Sequence, residues 1–140
     1  QALAFWSNWQ FFTVEEHKGF VGILAKWRNA AIKGFALVEA SEKLKAYKKP
    51  ELGILTYFPS NADKKTTSLV SQTSKHVLDA GMRDQSFYLS LYKVPASTFT
   101  KLHPECEADT EVVTILRSVL MKPEQADFIT ELVRRIESHL

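Results

Sequence analysis

Cys106 is the only cysteine in this 140-residue chain. A lone thiol excludes an internal disulfide framework and suits a reducing, cytoplasmic setting. No apolar run approaches the roughly 20 residues that a bilayer-spanning helix needs. The basic start, apolar middle and small-residue cleavage site of a signal peptide are also missing. No Gly-rich motif is available to cradle a phosphate. Aromatic residues are not interleaved with basic ones along a strand, which argues against an RNA-binding sheet. The four histidines, His17, His76, His103 and His139, lack ligand spacing, so neither zinc nor another metal is expected. His103 and Cys106 share a polar stretch, but no third group is evident to orient them as base and nucleophile. Internal repeats and low-complexity segments are absent. There is no initiator Met, and the chain opens abruptly in aromatics, as a fragment or excised domain would; processing would look the same.

What remains is 45% hydrophobic with a net charge of +2. That composition can build a core and favours no class of charged partner. The length fits one domain over 1–140. Residues 1–49 are expected to form an aromatic helix plus a long connecting helix, and 50–140 a small α+β domain.

The opening segment, 2–12, places Leu3, Trp6 and Trp9 at helical spacing, with Phe5 and Phe12 as a second apolar edge. So much aromatic surface needs cover, from the rest of the chain or from a larger body. Thr13-Val-Glu-Glu16 fits a capping box, and a long helix should follow. In it Phe20, Leu24, Trp27, Ala31, Phe35 and Val38 step by three or four residues and form a core stripe. Gly22 and Gly34 weaken that helix or permit close packing. Lys43 to Lys49 reads as a solvated basic helix end closing at Pro50.

Leu52 to Phe58 reads as a strand stopped by Pro59, and Asn61 to Lys65 as a polar loop. A second helix is predicted from about Thr66 or Thr67 to Ala80. Its inward residues would be Leu69, Thr73, Val77 and Ala80, with Gly81 as the left-handed cap. Ser86 to Val94 alternates as a strand. Phe87, Leu89 and Leu91 lie on one face, and the hydroxyl-bearing Tyr88, Ser90 and Tyr92 on the other, either an ordinary half-buried face or the lining of a site. Pro95 ends it, and 96–109 is predicted to be polar loop. The last helix should begin at Pro123, a natural first helical position. Ile129, Leu132, Val133, Ile136 and Leu140 form its stripe, with charges placed as the macrodipole prefers.

Between them lies the β-branched run Glu111 to Met121, a strand with Arg117 in its middle. Alternation puts Arg117 on one face with Val113, Ile115, Val119 and Met121. A guanidinium in such company loses hydration and needs an anionic or hydrogen-bonding partner. That partner is either a local Asp or Glu, or a carboxylate or phosphate from a ligand or another domain. The expected fold is α+β: a small, largely antiparallel sheet of about three strands with helices packed on one face. Apolar residues remain on the second face, which therefore also expects cover.

Phe5-Trp-Ser-Asn-Trp-Gln10, followed by Lys18-Gly-Phe20, resembles the helix after the cofactor lysine in group II pyridoxal-phosphate-dependent amino-acid decarboxylases. These are the glutamate, aromatic amino-acid and diaminobutyrate decarboxylases. Leu52 to Phe58 is similar to the first strand of their small domain. Leu116-Arg-Ser-Val-Leu-Met-Lys-Pro123 resembles their last strand and the Pro-containing turn after it. The order agrees over nearly the whole chain, although 10–19 is longer than the usual pattern and lacks an earlier Gly.

The resemblance implies the C-terminal small domain of a fold-type-I enzyme. It would close the substrate end of the site and be inactive alone. Its partner would be the large domain that binds pyridoxal phosphate, and the enzyme would be a homodimer. The Schiff-base lysine and the Asp at the pyridine nitrogen would belong to that large domain. No catalytic residue falls in this chain, and the cofactor contacts stay open. Arg117 alone carries over as a substrate-binding residue, meeting an acidic group of the substrate. The competing reading is a free-standing α+β regulatory or binding module that grips an amino acid or other small carboxylate. No nucleic acid and no membrane is expected as a partner in either case.

Overall fold

Small and apolar residues recur on one side of the first long helix, and that side meets the sheet. The structure is a computed structural model describing Trp6 and residues 19–60, 65–122 and 125–140. The expected helix over 2–12 (apart from Trp6, helical and exposed), the capping box, the loop over 61–64 and the helix start at Pro123 lie outside the described residues. The elements are α1 (Gly19–Glu39), β1 (Leu44–Ala46), β2 (Ile54–Pro59), α2 (Thr67–Arg83), β3 (Ser90–Pro95), α3 (Ala96–Leu102), β4 (Val112–Val119) and α4 (Gln125–Glu137). The four strands form one fully antiparallel sheet in the order β1-β2-β4-β3.

One face of the sheet carries the larger core. Leu55, Tyr57 and Leu116 meet Ala30, Ala31 and Val38 of α1, Val77 of α2, and Ile129, Leu132, Val133 and Ile136 of α4. The α4 stripe is buried as its spacing predicts, with Leu140 half-buried. In α1 the expected stripe holds only toward the C-terminus. Ala31 and Val38 are buried, Leu24, Trp27 and Phe35 are half-buried, and Phe20 is exposed. Gly34 explains the closeness of packing there: an added Cβ would lie 2.9 Å from both Ile129 and Leu55. At that distance one of them must shift.

Four local expectations are corrected. Within the basic stretch 43–49, Leu44 and Ala46 alternate inward and form the edge strand β1; three residues are too few to show a period. The loop over 96–109 contains α3, whose Phe99 is fully buried. The buried face of α2 is Thr67, Val70, Ser74, Val77 and Gly81, which shares only Val77 with the predicted set. Two small hydroxyl residues face inward: the Thr67 hydroxyl donates to Asp109 at 2.8 Å, ahead of β4, while the Ser74 hydroxyl is buried with no hydrogen-bond partner among the described residues. Ser71 Oγ accepts the Thr114 amide at 2.9 Å, beyond the last β2 pair at Leu116.

Gly81, finally, is not the cap. It lies inside α2, where any Cβ would strike the Phe87 ring at 2.2 Å. Gln85, at φ 55, takes the left-handed position, and the Ser86 amide donates back to the Gly81 carbonyl at 3.0 Å. That is the Schellman arrangement without its usual glycine. The exit consumes Ser86 and Phe87, so β3 begins only at Ser90.

The second face of the sheet is covered over half its length. Phe58, Val94, Val113 and Ile115 pack with Phe99 and Ala96 of α3, Tyr47 and Cys106 in a second, smaller core. Helices therefore lie on both faces, the second served by seven residues of α3.

Candidate functional site

Strand register brings three polar side chains into one row on the second face. Thr56 of β2 and Ser90 of β3 both pair with Arg117 of β4. Residues directly opposite in antiparallel strands share a face. On one side of this row lie Phe58, Ile115 and Val113, sealed under α3. On the other side lie Ile54, 39% exposed, and Val119, 38% exposed. Arg117 is half-buried at the seam. Its apolar company is thus divided: Val113 and Ile115 are buried, whereas Val119 and Met121 are exposed.

The open half forms a cleft of about 280 Å³ lined by Arg117, Thr56, Tyr92, Ile54 and the loop residues Lys48, Pro50, Glu51 and Leu52. The Leu120 amide donates to the Gly53 carbonyl at 2.6 Å, which ties that loop to the end of β4. Arg117 Nε donates to Ser90 Oγ at 2.9 Å, and Ser90 Oγ donates to the Arg117 carbonyl at 3.2 Å. Among the described residues Arg117 has no carboxylate within 4.0 Å. Glu51 lines the same cleft without forming an ion pair to it. Among the described residues two cations, Arg117 and Lys48, therefore face the cleft against one acid, Glu51, an arrangement suited to a small anion.

The hydroxyl face of the β3 region divides in use. Tyr92 lines the cleft and Ser90 holds Arg117, whereas Tyr88 is 74% exposed and lies outside it. Sequence reasoning missed Thr56 and the 48–52 loop. The Pro50-Glu-Leu-Gly53 turn before an apolar strand was the available signal, but a turn does not reveal which face its side chains rim.

The other reactive residues are structural or dispersed. Cys106 is 3% exposed in the smaller core, and burial pushes its thiol up, away from the thiolate a nucleophile needs. His103 is buried, with Nε2 2.9 Å from the Tyr47 carbonyl. His76 lies on a separate polar groove between α2 and the β3 edge, and His139 is 3.1 Å from Asp84. Among the described residues no group of three or more His, Cys, Asp or Glu side chains could hold a metal ion. No described lysine is buried, so none has the desolvated setting that turns a lysine into a carbonyl-capturing amine. The described residues fit the edge of a site and do not by themselves fit pyridoxal phosphate. No helix among them is long and apolar enough to cross a membrane.

Comparison with solved structures places this geometry. The whole chain superimposes on part of the tryptophan decarboxylase of Catharanthus roseus, solved in complex with L-tryptophan, with a TM-score of 0.71 at 12% sequence identity. The fold is that of a decarboxylase segment. The chain spans 26% of that protein's length. No protein-family model matches the sequence, and no curated protein sequence does.

Proposed function

We propose that this chain is the C-terminal part of a pyridoxal-phosphate-dependent amino-acid decarboxylase. It closes the substrate end of the site with Arg117 and is inactive without the large domain. The observation that carries this reading is an Arg117 with no acidic partner among the described residues, facing an open cleft in a fold shared over its full length with a decarboxylase segment. The sequence motifs around Phe5, Leu52 and Arg117 support the same family. The cofactor when bound supplies the electron sink for loss of carbon dioxide. This chain's own contribution is to bind and orient an acidic group of the substrate at the Arg117 fork and to wall off one side of the site.

Arg117→Ala tests the reading in the polypeptide that carries this chain. Decarboxylation is expected to fall roughly 100-fold, equivalent to about 2.7 kcal/mol, while the melting temperature moves by only a few degrees. Unchanged turnover with a large loss of melting temperature would mean that Arg117 is a structural residue. The coding sequence just upstream of Gln1 gives an independent check: a strand ending in a His-Lys pair is expected there.

A free-standing module that grips a small carboxylate is the second reading, and the same cleft favours it. It predicts a polypeptide that binds a carboxylate at Arg117 and has no decarboxylase activity, so activity rather than binding separates the two readings.

A further inference from the structure

We infer that Ser90 is a positioning residue for Arg117, fixing its guanidinium so that the two terminal nitrogens are presented to a single small carboxylate in the cleft. This deepens the proposed function and rests on its reading of Arg117. One hydroxyl makes both contacts. Ser90 Oγ accepts from Arg117 Nε at 2.9 Å and donates its only proton to the Arg117 carbonyl at 3.2 Å. The two residues are direct partners in the β3–β4 register, so sheet pairing sets the distance between them.

A free arginine side chain samples many rotamers, and holding it costs conformational entropy on ligand binding. With Nε already engaged, rotation about the inner bonds is restrained before any ligand arrives. Nη1 and Nη2 make no hydrogen bond or ion pair to the described residues and keep the end-on fork that matches a carboxylate.

The rest of the cleft agrees with a carboxylate rather than a bulky anion. Its volume of about 280 Å³ lies at the small end for ligand sites. Thr56, 7% exposed and opposite Arg117 in the register, adds a hydroxyl that can donate to a carboxylate oxygen. Lys48 on the rim adds a second positive charge.

The test is succinate binding to the full 140-residue chain, followed by NMR of the arginine Nε–H groups. In wild type the Arg117 Nε–H is expected to exchange slowly with water and to shift on adding succinate. Ser90→Ala should weaken binding about tenfold, the usual worth of one such hydrogen bond, and should speed that exchange. Ser90→Thr, which keeps the hydroxyl, should restore both. Should Ser90→Ala fail to fold, Ser90→Cys makes the same comparison with a weak sulfur partner of similar size. Equal succinate affinity in wild type, Ser90→Ala and Ser90→Cys would remove Ser90 from the role while leaving the proposed function standing. An Arg117 Nε–H exchanging in wild type as fast as in free arginine would overturn the positioning role without any variant. Arg117→Ala binding succinate as tightly as wild type would overturn the inference together with the reading it rests on.

Discussion

Arg117 on the second sheet face and His103, packed on Phe58 of that face, meet the same problem differently. Each brings nitrogen donors beside apolar residues, where an unpaired donor is costly. His103 is enclosed, its ring centroid 4.8 Å from that of Phe58 and 5.2 Å from that of Phe99. To donate to the Tyr47 carbonyl, Nε2 must carry the proton. Nδ1 is buried without a hydrogen-bond partner among the described residues, 3.4 Å from Glu105, which is itself paired with Lys45. The Tyr47 bond and the ring packing come from the chain itself, so they contribute to stability. His103→Ala is expected to destabilise by about 2–4 kcal/mol, through the cavity among three rings and the orphaned Tyr47 carbonyl. Urea unfolding measures it, and a loss under about 1 kcal/mol would show that the smaller core is not closed around this ring. Among the described residues Arg117 has only a serine as its side-chain partner. Its position mid-strand was plain from the sequence, as was the hydroxyl face containing Ser90 and Tyr92. The lack of an acid beside it among the described residues was not, because neither strand register nor loop path can be read from residue order.

At the scale of the element, α2 shows how a helix end depends on sequence-distant residues. Thr66 caps it from within, accepting the Leu69 amide at 3.3 Å. Asp109, far along the chain, accepts the Ser68 amide at 2.7 Å and the Thr67 hydroxyl at 2.8 Å, and also bonds the Ser68 hydroxyl. Those hydrogen bonds, the Ser68 hydroxyl foremost, hold the Asp109 carboxyl at about 2, below its ordinary 3.8. A depressed carboxyl contributes stability that is complete above its unfolded pKa and is lost as pH falls through the folded one. Asp109 should therefore add acid sensitivity between 3.8 and about 2. Asp109→Asn is expected to be less stable than wild type at pH 7 and to lose less stability across that acid interval. Parallel stability–pH curves for the two proteins would contradict the assignment.

The same dependence explains the helix and strand corrections. Long amphipathic segments such as α1 and α4 announce themselves because one face repeats every three or four residues. β1 and α3, at three and seven residues, carry no such repeat. They exist because Leu44, Ala46, Tyr47 and Phe99 find buried places on elements distant in sequence.

For the molecule as a whole, the decisive feature is the incomplete cover of the second sheet face. Leu52, Ile54, Val119 and Met121 are all more than a third exposed around a cleft that begins with Arg117. The chain shares its fold with 26% of a larger decarboxylase chain, and the proposed function puts the parts that hold the cofactor outside these 140 residues. After incubation with pyridoxal phosphate and gel filtration, the 140-residue chain should carry no cofactor absorbance. A retained band would contradict the proposed division of labour and direct the search to a lysine in this chain.

Residue order alone was sufficient for the long helices, for the strands around Thr56 and Arg117, and for the α+β class. Each rests on a local period or a local propensity that needs no partner to be visible. Tertiary structure decided the rest: that Gly81 makes room for Phe87, that α3 roofs half of a face, and that Arg117 stands at the edge of that roof with Ser90 and, among the described residues, no acid. Those outcomes depend on contacts between sequence-distant segments, whose geometry is set only when the chain packs.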